Sequence, residues 1–413
     1  MKAKITFYRE EKFKDTPIGR IPEDWKVIKV YNFISILKGY PFSSKFFNSK
    51  GRGLPLIRIR DLGKKETESY YDGPYDKTYI VKKGDILVSM DGEFNIYVWR
   101  GPKGLLNQRI CKIWSKDERK LNDLFLYYIL KKPLKLIEAQ IGQTTVKHLL
   151  DRDIRRIRIP LPPLPEQKAI AHILSAVDEA IQKTNEIIEK TKRLKKGLMQ
   201  ELLTKGIGHK KFKDTEIGRI PEEWEVVRLR DIALIIMGQS PPSSTYNKEG
   251  VGLPFLQGKM EFGSIYPSPV IYCSKPIKIA ETNDVLISVR APVGDVNLAP
   301  YRLCIGRGLA AIRFNDKKAD YLFYFYYLQR IKAFLEALGK GSTFKAIVKD
   351  DLEGLKVPLP PLDEQKKISE ILSTADKRLE VERKRKEKLE RIKKALMDLL
   401  LTGKIRVKVI HNG

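Results

Sequence analysis

Cysteine is scarce. Cys111, Cys273 and Cys304 stand isolated in 413 residues, with no CxxC pair. That pattern excludes a disulfide framework and a cysteine zinc site, and it fits a reducing cytoplasm. The four histidines, His148, His172, His209 and His411, are scattered without ligand spacing. No metal site is expected. No run approaches the roughly 18–20 apolar residues of a membrane span. The N-terminal MKAKITFYREEKFKDT lacks the apolar core of a signal peptide. A cytoplasmic protein with no membrane partner is the expectation.

The elements of catalysis are missing as well. There is no GxxxxGK followed by Ser or Thr, hence no ATP-driven translocation in this chain. Gly339-Lys340-Gly341-Ser342 is glycine-rich but lacks that spacing. No glycine-rich methyl-donor loop appears, and no Asn-Pro-Pro-aromatic or Pro-Cys element of a DNA methyltransferase. Glu166-Gln167-Lys168 and Glu364-Gln365-Lys366 have a nuclease-like Glu-x-Lys spacing. Both follow prolines at expected helix starts, where an acid complements the helix dipole, so helix capping explains them. Asp91 and Glu93 flank Gly92, but the second half has Arg290 nearby instead, so no shared carboxylate pair exists. No catalytic residue, metal or cofactor is expected.

Acid is in short supply relative to base: 51 Asp and Glu against 79 Lys and Arg, a net charge of +28. Such an excess favours a polyanionic partner, because each neutralised phosphate releases counterions. A lysine-rich surface of thermophilic type is the alternative source of the charge. Apolar residues make up 42% of the chain, enough for two or three cored domains.

What is abundant is repetition. IGRIPEDW at 18–25 returns as IGRIPEEW at 217–224. LPLIRIRDLG at 54–63 returns as LPFLQGKMEF at 253–262, and GDILVS at 84–89 as NDVLIS at 283–288. LPPLPEQ at 161–167 returns as LPPLDEQ at 359–365, and LLTKGI at 202–207 as LLTGKI at 400–405. Five blocks recur in one order at an offset near 199, slipping to 198 late in each half. The chain is a duplication.

Each half has the same grammar. Roughly 140 residues of short β-branched segments, such as 79–81, 85–89, 284–288 and 310–314, are punctuated by Gly and Pro clusters. A helix near 121–139 or 321–338 follows, then a proline-rich hinge and one long helix. In the first long helix Ile170, Leu174, Val177, Ile181, Ile188, Leu198 and Leu202 recur in steps of three and four. The second repeats this with Ile368, Leu372, Ala375, Leu379, Leu389, Ile392, Leu396 and Leu400. These are coiled-coil seams, weakened by Thr184, Thr191 and the basic run 383–386. A duplicated unit with one apolar stripe per helix points to an antiparallel pair. The segment expected after the second helix, FKDTPIGRIPEDW, stands instead at 13–25. The sequence reads as a circle cut once, so its two ends should meet.

On these residues (LPPLPEQ and LPPLDEQ opening long helices, IGRIPEDW and IGRIPEEW opening variable domains, the GDILVS and NDVLIS strands) the chain resembles the specificity subunit of a type I restriction–modification system. The likeness spans nearly the whole chain. It implies an α+β protein: two tandem mixed α/β target-recognition domains separated by two long helices in an antiparallel coiled coil, pseudo-twofold and circular. Residues 1–21 would be an N-terminal segment packing near the C-terminus, and 22–160 the first recognition domain. Residues 161–207 would be the central helix, 208–357 the second domain with its lead-in, and 358–413 the last helix and tail. The resemblance further implies double-stranded DNA as ligand, each domain reading half of a split site. The helices would dock methyltransferase subunits, two of them, which recruit restriction and translocase subunits.

Base readout needs polar side chains on loops, and loops reading different bases should differ between the halves. In the first half this selects Lys38, Tyr40, Ser43, Ser44, Lys45, Arg58, Arg60, Asp91, Arg109, Thr144, Thr145 and Lys147. In the second it selects Gln239, Ser243, Ser244, Lys259, Arg290, Arg307, Ser342, Thr343 and Lys345. Two other readings stay open: a freestanding sequence-specific DNA-binding protein, and a DNA methylase or nuclease with unfamiliar motifs.

Overall fold

The computed structural model describes residues 4–141, 147–338 and 346–410. The chain forms two compact units, Met1–Lys183 with Arg385–Gly413, and Thr184–Lys384. The division passes through both long helices, Leu164–Lys205 and Leu362–Leu401. Each unit therefore contains one stretch of each helix.

In unit 1 the hairpin of Phe13–Lys14 and Ile21–Pro22 leads through Trp25 into strand Lys26–Lys29. That strand pairs antiparallel with Arg158–Leu161, the strand that opens the proline hinge. The way into the variable domain and the way out are thus bonded side by side. Unit 2 repeats this with Phe212–Thr215 on Gly218–Pro221, and Glu225–Arg228 on Lys356–Leu359.

Two sheets lie between these neck strands. One has four antiparallel strands in the order Ile96–Val98, Ile86–Ser89, Ile110–Ser115, Ile34–Lys38. The other has five, in the order Phe47–Asn48, Tyr70–Tyr71, Leu54–Ile57, Gly104–Leu106, Ile80–Val81, with one parallel pairing in the middle. Unit 2 reproduces both orders, and the parallel register Leu56↔Leu105 returns as Phe255↔Cys304. The run Ile86–Ser89 is buried on both faces because it lies between two cores. Ile86 and Val88 face the helices, while Leu87 faces Trp99 and, from the other sheet, Leu106. In Val285–Ser288 the same alternation sends Val285 and Ile287 one way and Leu286 the other. The period of two places successive side chains on opposite faces.

Helix Asp123–Gln140 starts where Asn122 accepts the Phe125 amide at 3.0 Å, and helix Tyr321–Arg330 where Asp320 accepts that of Phe323 at 3.0 Å. Each satisfies an otherwise orphaned first-turn donor. These helices cover the four-stranded sheet and pack on the long helices.

The long helices have 42 and 40 residues, about 60 Å each. Within each unit their segments run antiparallel. In unit 1, Glu166 meets Arg406 and Asp178 meets Lys393 at 2.5 Å; in unit 2, Lys195 meets Asp376 at 2.6 Å. Asp178 and Asp376 also accept the hydroxyls of Tyr128 and Tyr326, both at 2.8 Å. The same tyrosine–aspartate–lysine triad is therefore built twice. Ile170, Leu174, Ile188, Ile368, Leu372, Leu379 and Leu400 are buried as the seams require. Val177, Ile181, Leu198, Leu202, Leu389 and Leu396 are half-buried, Ile392 is 40% exposed, and Leu203 rather than Leu202 is the fully buried leucine of its turn. Thr184, whose polarity seemed to weaken the seam, is itself buried.

The helices stop at Gly206 and Gly403, both left-handed at φ +65° and +72°. Glycine takes that conformation without penalty. A side chain at Gly403 would also collide with Pro22. The chain's first and last described strands, Lys4–Arg9 and Ile405–Ile410, pair antiparallel from Lys4↔Ile410 to Arg9↔Ile405.

Candidate nucleic-acid interface

The site is built outward from the neck. Trp25 and Trp224 are fully buried, and their indole N–H groups donate to Glu166 at 3.1 Å and to Glu364 at 2.9 Å. Gln167 donates to the carbonyls of Lys120 and Pro162 and accepts the Asn122 amide. Gln365 does the same with Lys318, Pro360 and Asp320. The repeated Glu-Gln pair is thus a clasp between variable domain and helix start, not a nuclease element and more than a helix cap. Among the described residues, no cluster of three His, Cys, Asp or Glu side chains is placed to hold a metal.

Farther out, the sheets end in loops that touch. In unit 1 the Tyr40 amide donates to the Leu106 carbonyl, and the Gln108 amide to the Tyr40 carbonyl, both at 3.0 Å. The Met90 amide donates to the Arg109 carbonyl at 2.9 Å, and the Leu149 amide to the Met90 carbonyl at 2.7 Å. Lys38 pairs with Asp151 at 2.8 Å. Lys38, Tyr40, Asp91, Arg109 and Lys147 therefore share one patch. Tyr40 lies against the rings of Phe42 and Tyr79 with about half its surface exposed. Unit 2 repeats the frame: Gln239 to Ile305 at 3.0 Å, Val289 to Gly308 at 2.9 Å, Ile347 to Val289 at 2.9 Å.

On this common frame the side chains differ. In unit 1, Asp91 is mostly buried and holds Arg109 Nε at 3.3 Å and His148 Nδ1 at 2.7 Å. Arg109 sits at φ +71°, which turns its side chain outward. Unit 2 has Arg290, Gly308 and Ala346 at those three places, and Arg290 is exposed. A carboxylate bracketed by two basic side chains is exchanged for an exposed guanidinium.

The remaining candidates fall into two groups. Ser43, Ser44, Lys45, Gln239, Ser243, Ser244 and Arg307 are exposed, and the Arg307 amide donates to Ser240 Oγ at 3.2 Å. Others are engaged within their unit: Arg58 lies over the Phe47 ring and Arg60 donates to Ser69 Oγ at 2.9 Å. Lys259 is paired with Asp295. Burial opposes the Asp295 charge, but hydrogen bonds from Lys259 and Lys332 outweigh it and hold the carboxyl below its usual range. The Lys147 carbonyl accepts the Gly92 amide at 2.9 Å. Thr144, Thr145, Ser342, Thr343 and Lys345 lie outside the described residues. His148 and Asp151 join the first patch without having been singled out from sequence, and Gln257, the counterpart of Arg58 in the repeat, joins the second. Gln257 hydrogen-bonds Ser240 at 2.8 Å. The available signal for His148 was its place beside Lys147.

The type I restriction modification DNA specificity domain matches the chain twice, at residues 22–193 and 221–391. The chain belongs to that family. It is 47% identical to the putative type I restriction enzyme MjaX specificity subunit of Methanocaldococcus jannaschii, over 98% of this chain and 99% of that one. It is 33% identical to the MjaVIII specificity subunit of the same organism, with the same coverage. A solved chain from work on complex assembly and conformational transition of the type I restriction–modification system superposes with TM-score 0.52 at 29% identity. It covers 93% of this chain and 99% of that chain. The S subunit of Mycoplasma genitalium, at 18% identity and TM-score 0.67 over 91% of this chain and 96% of its own, has the same fold. As a type I specificity subunit with two tandem recognition domains, the chain is a non-catalytic component of such a system. No helix among the described residues is long and apolar enough to cross a membrane.

Proposed function

We propose that each unit of this specificity subunit reads one half of a bipartite site in double-stranded DNA through its loop patch. The long helices dock two methyltransferase subunits, through which the restriction and translocase subunits are recruited. The observation that carries the reading is the exchange of Asp91, Arg109 and His148 for Arg290, Gly308 and Ala346 on one backbone frame. A fold kept alike while its outward groups are replaced is what two different half-sites require. In unit 1 the Asp91 carboxylate is already engaged, so the reading atoms are the outer nitrogens of Arg109 and Nε2 of His148. In unit 2 the reader is Arg290, whose fork matches the O6 and N7 acceptors of guanine in the major groove. Exposed Lys38, Lys45 and Arg307 flank these groups and face the phosphates.

Selection of binding sites from randomised duplex DNA by the chain with its methyltransferase subunits tests this. Two short specified elements are expected, with unspecified sequence between. Arg290→Ala should relax one element and leave the other. A single continuous site, or relaxation of both elements together, would remove the assignment of one unit to one half-site.

A further inference from the structure

Each unit also carries an apolar groove beside the end of a long helix. In unit 1 it has a volume of about 600 Å³ and is walled by Ile18, Arg20 and Ile21 of the neck hairpin, Leu136 of the preceding helix, and Leu401. In unit 2 it has a volume of about 490 Å³ and is walled by Ile217, Arg219, Ile220, Tyr327 and Leu203. Ile18, Arg20, Ile21 and Leu401 recur as Ile217, Arg219, Ile220 and Leu203. In both grooves the arginine is held over a hairpin phenylalanine, Phe13 at 5.3 Å or Phe212 at 5.4 Å.

This repetition runs opposite to the loop patches. Where the units face different bases, their outward groups differ. At the grooves the side chains that reach the surface are the same: Arg20 and Arg219 are both exposed, Ile18 is 36% exposed, and Ile217 is half-buried. A surface built twice alike fits an occupant that is the same twice. The rims say more about it. Unit 1 presents Lys132, Arg156 and Arg158 beside Arg20, and the two carboxylates there are already used. Asp153 accepts the Leu150 amide at 2.9 Å, and Asp398 pairs with Lys404 at 3.1 Å. Unit 2 presents Arg330 at the place of Lys132. Its buried Nε has no hydrogen-bond partner among the described residues. A buried donor left unpaired is costly, so an acceptor from outside would relieve it.

We propose that the two grooves are paired docking sites for one protein partner bound in two copies, each copy inserting an apolar side chain flanked by carboxylates. The partner is the methyltransferase subunit, and to that extent the proposal rests on the docking role above. DNA fits the grooves poorly, because their floors are apolar and a phosphate needs none of that surface.

The test uses the full chain, its methyltransferase subunit and native mass spectrometry, with Arg20→Glu, Arg219→Glu and the double variant. Circular dichroism and thermal unfolding establish that the variants fold, and Ile18→Ser with Ile217→Ser provides a second, uncharged pair. Two bound copies are expected on the parent chain, one on each single variant and none on the double. Partner affinity should fall at least tenfold per altered groove, while the free chain's DNA affinity stays within twofold. Two copies retained on the folded double variant would overturn the groove assignment alone. No methyltransferase on the parent chain would overturn the docking role itself, and the grooves with it. Loss of DNA binding in the double variant, or loss of self-association of the free chain, would assign the grooves to DNA or to a second copy and overturn the proposal.

Discussion

Glu166 in unit 1 and Glu364 in unit 2 occupy the same place, accept the same indole N–H and begin the same kind of helix, yet different donors meet them. Glu166 receives both Nε and a terminal nitrogen of Arg406, at 2.8 and 2.9 Å. Arg406 also reaches Asp24, at 2.9 and 2.8 Å, and Glu10. Burial works against the Arg406 charge, but the hydrogen bonds it donates to Glu166 and Asp24 outweigh it and raise its affinity for the proton. Glu364 receives the Ile207 amide at 2.8 Å and His209 Nε2 at 2.9 Å. Each donor comes from the segment just beyond the end of the opposite long helix. Duplication preserved the carboxylate and the tryptophan, where a change would leave a buried group unpaired. It left free the choice of donor, because any good donor serves.

The sharpest way to break this comparison is to remove both donors in turn. Arg406→Ala leaves three carboxylates around an empty place and should cost about 3–5 kcal/mol. His209→Ala leaves Glu364 with two N–H donors and should cost about 1–2 kcal/mol. Chemical denaturation of unit-specific probes would show the difference, and equal losses would mean that the two clasps are energetically alike.

A second contrast concerns Lys131, whose counterpart in unit 2 is Gln329. Burial, with Lys393 beside it, pushes the Lys131 ammonium down to about 8. Its side chain rests on the Tyr127 ring at 4.1 Å. Between about pH 8 and the ordinary lysine range, the unfolded chain holds a proton that the folded chain has released. Stability from this residue therefore rises with pH across that window. Lys131→Gln should abolish the rise, so the parent gains about 2–3 kcal/mol on the variant from pH 8 to 10.5. A gap that stays constant with pH would show Lys131 to be unperturbed.

The loop patches offer the next test. Arg290→Ala should weaken binding to one half-site by about 1–3 kcal/mol. Asp91→Asn removes a support rather than a reader, so a loss under about 1 kcal/mol at the other half-site is expected, read by titrating variant duplexes. A loss at Asp91 as large as that at Arg290 would make the carboxylate itself a base contact.

Much of the fold was legible because it was written twice. The hinge prolines, the period of the seams and the alternation in Ile86–Ser89 each encode local geometry directly. The clasp was not legible. Glu166 reads as a cap from its own helix, and nothing local announces Arg406, 240 residues on. Ile392 reads as a seam residue because periodicity knows its own helix and not what covers it, and its side chain is 40% exposed. At the site, residue type told which side chains can donate. It did not tell that Lys259 is taken by Asp295, or that Arg109 is steered by Asp91. Both acids come from other strands and loops, and only the sheet order brings them there.

The division into Thr184–Lys384 and its complement also bears on synthesis. Unit 2 is one continuous stretch and can close while the chain is still being made. Unit 1 cannot, because Lys4–Arg9 finds its partner only at Ile405–Ile410, and Glu166 waits for Arg406. At about 5–20 residues per second, the opening strand stays unpaired for on the order of 20–80 s. During that interval Phe7 and Tyr8 sit on a bare strand edge, the kind of surface that invites wrong pairing. The half of the molecule that begins first is the half that finishes last.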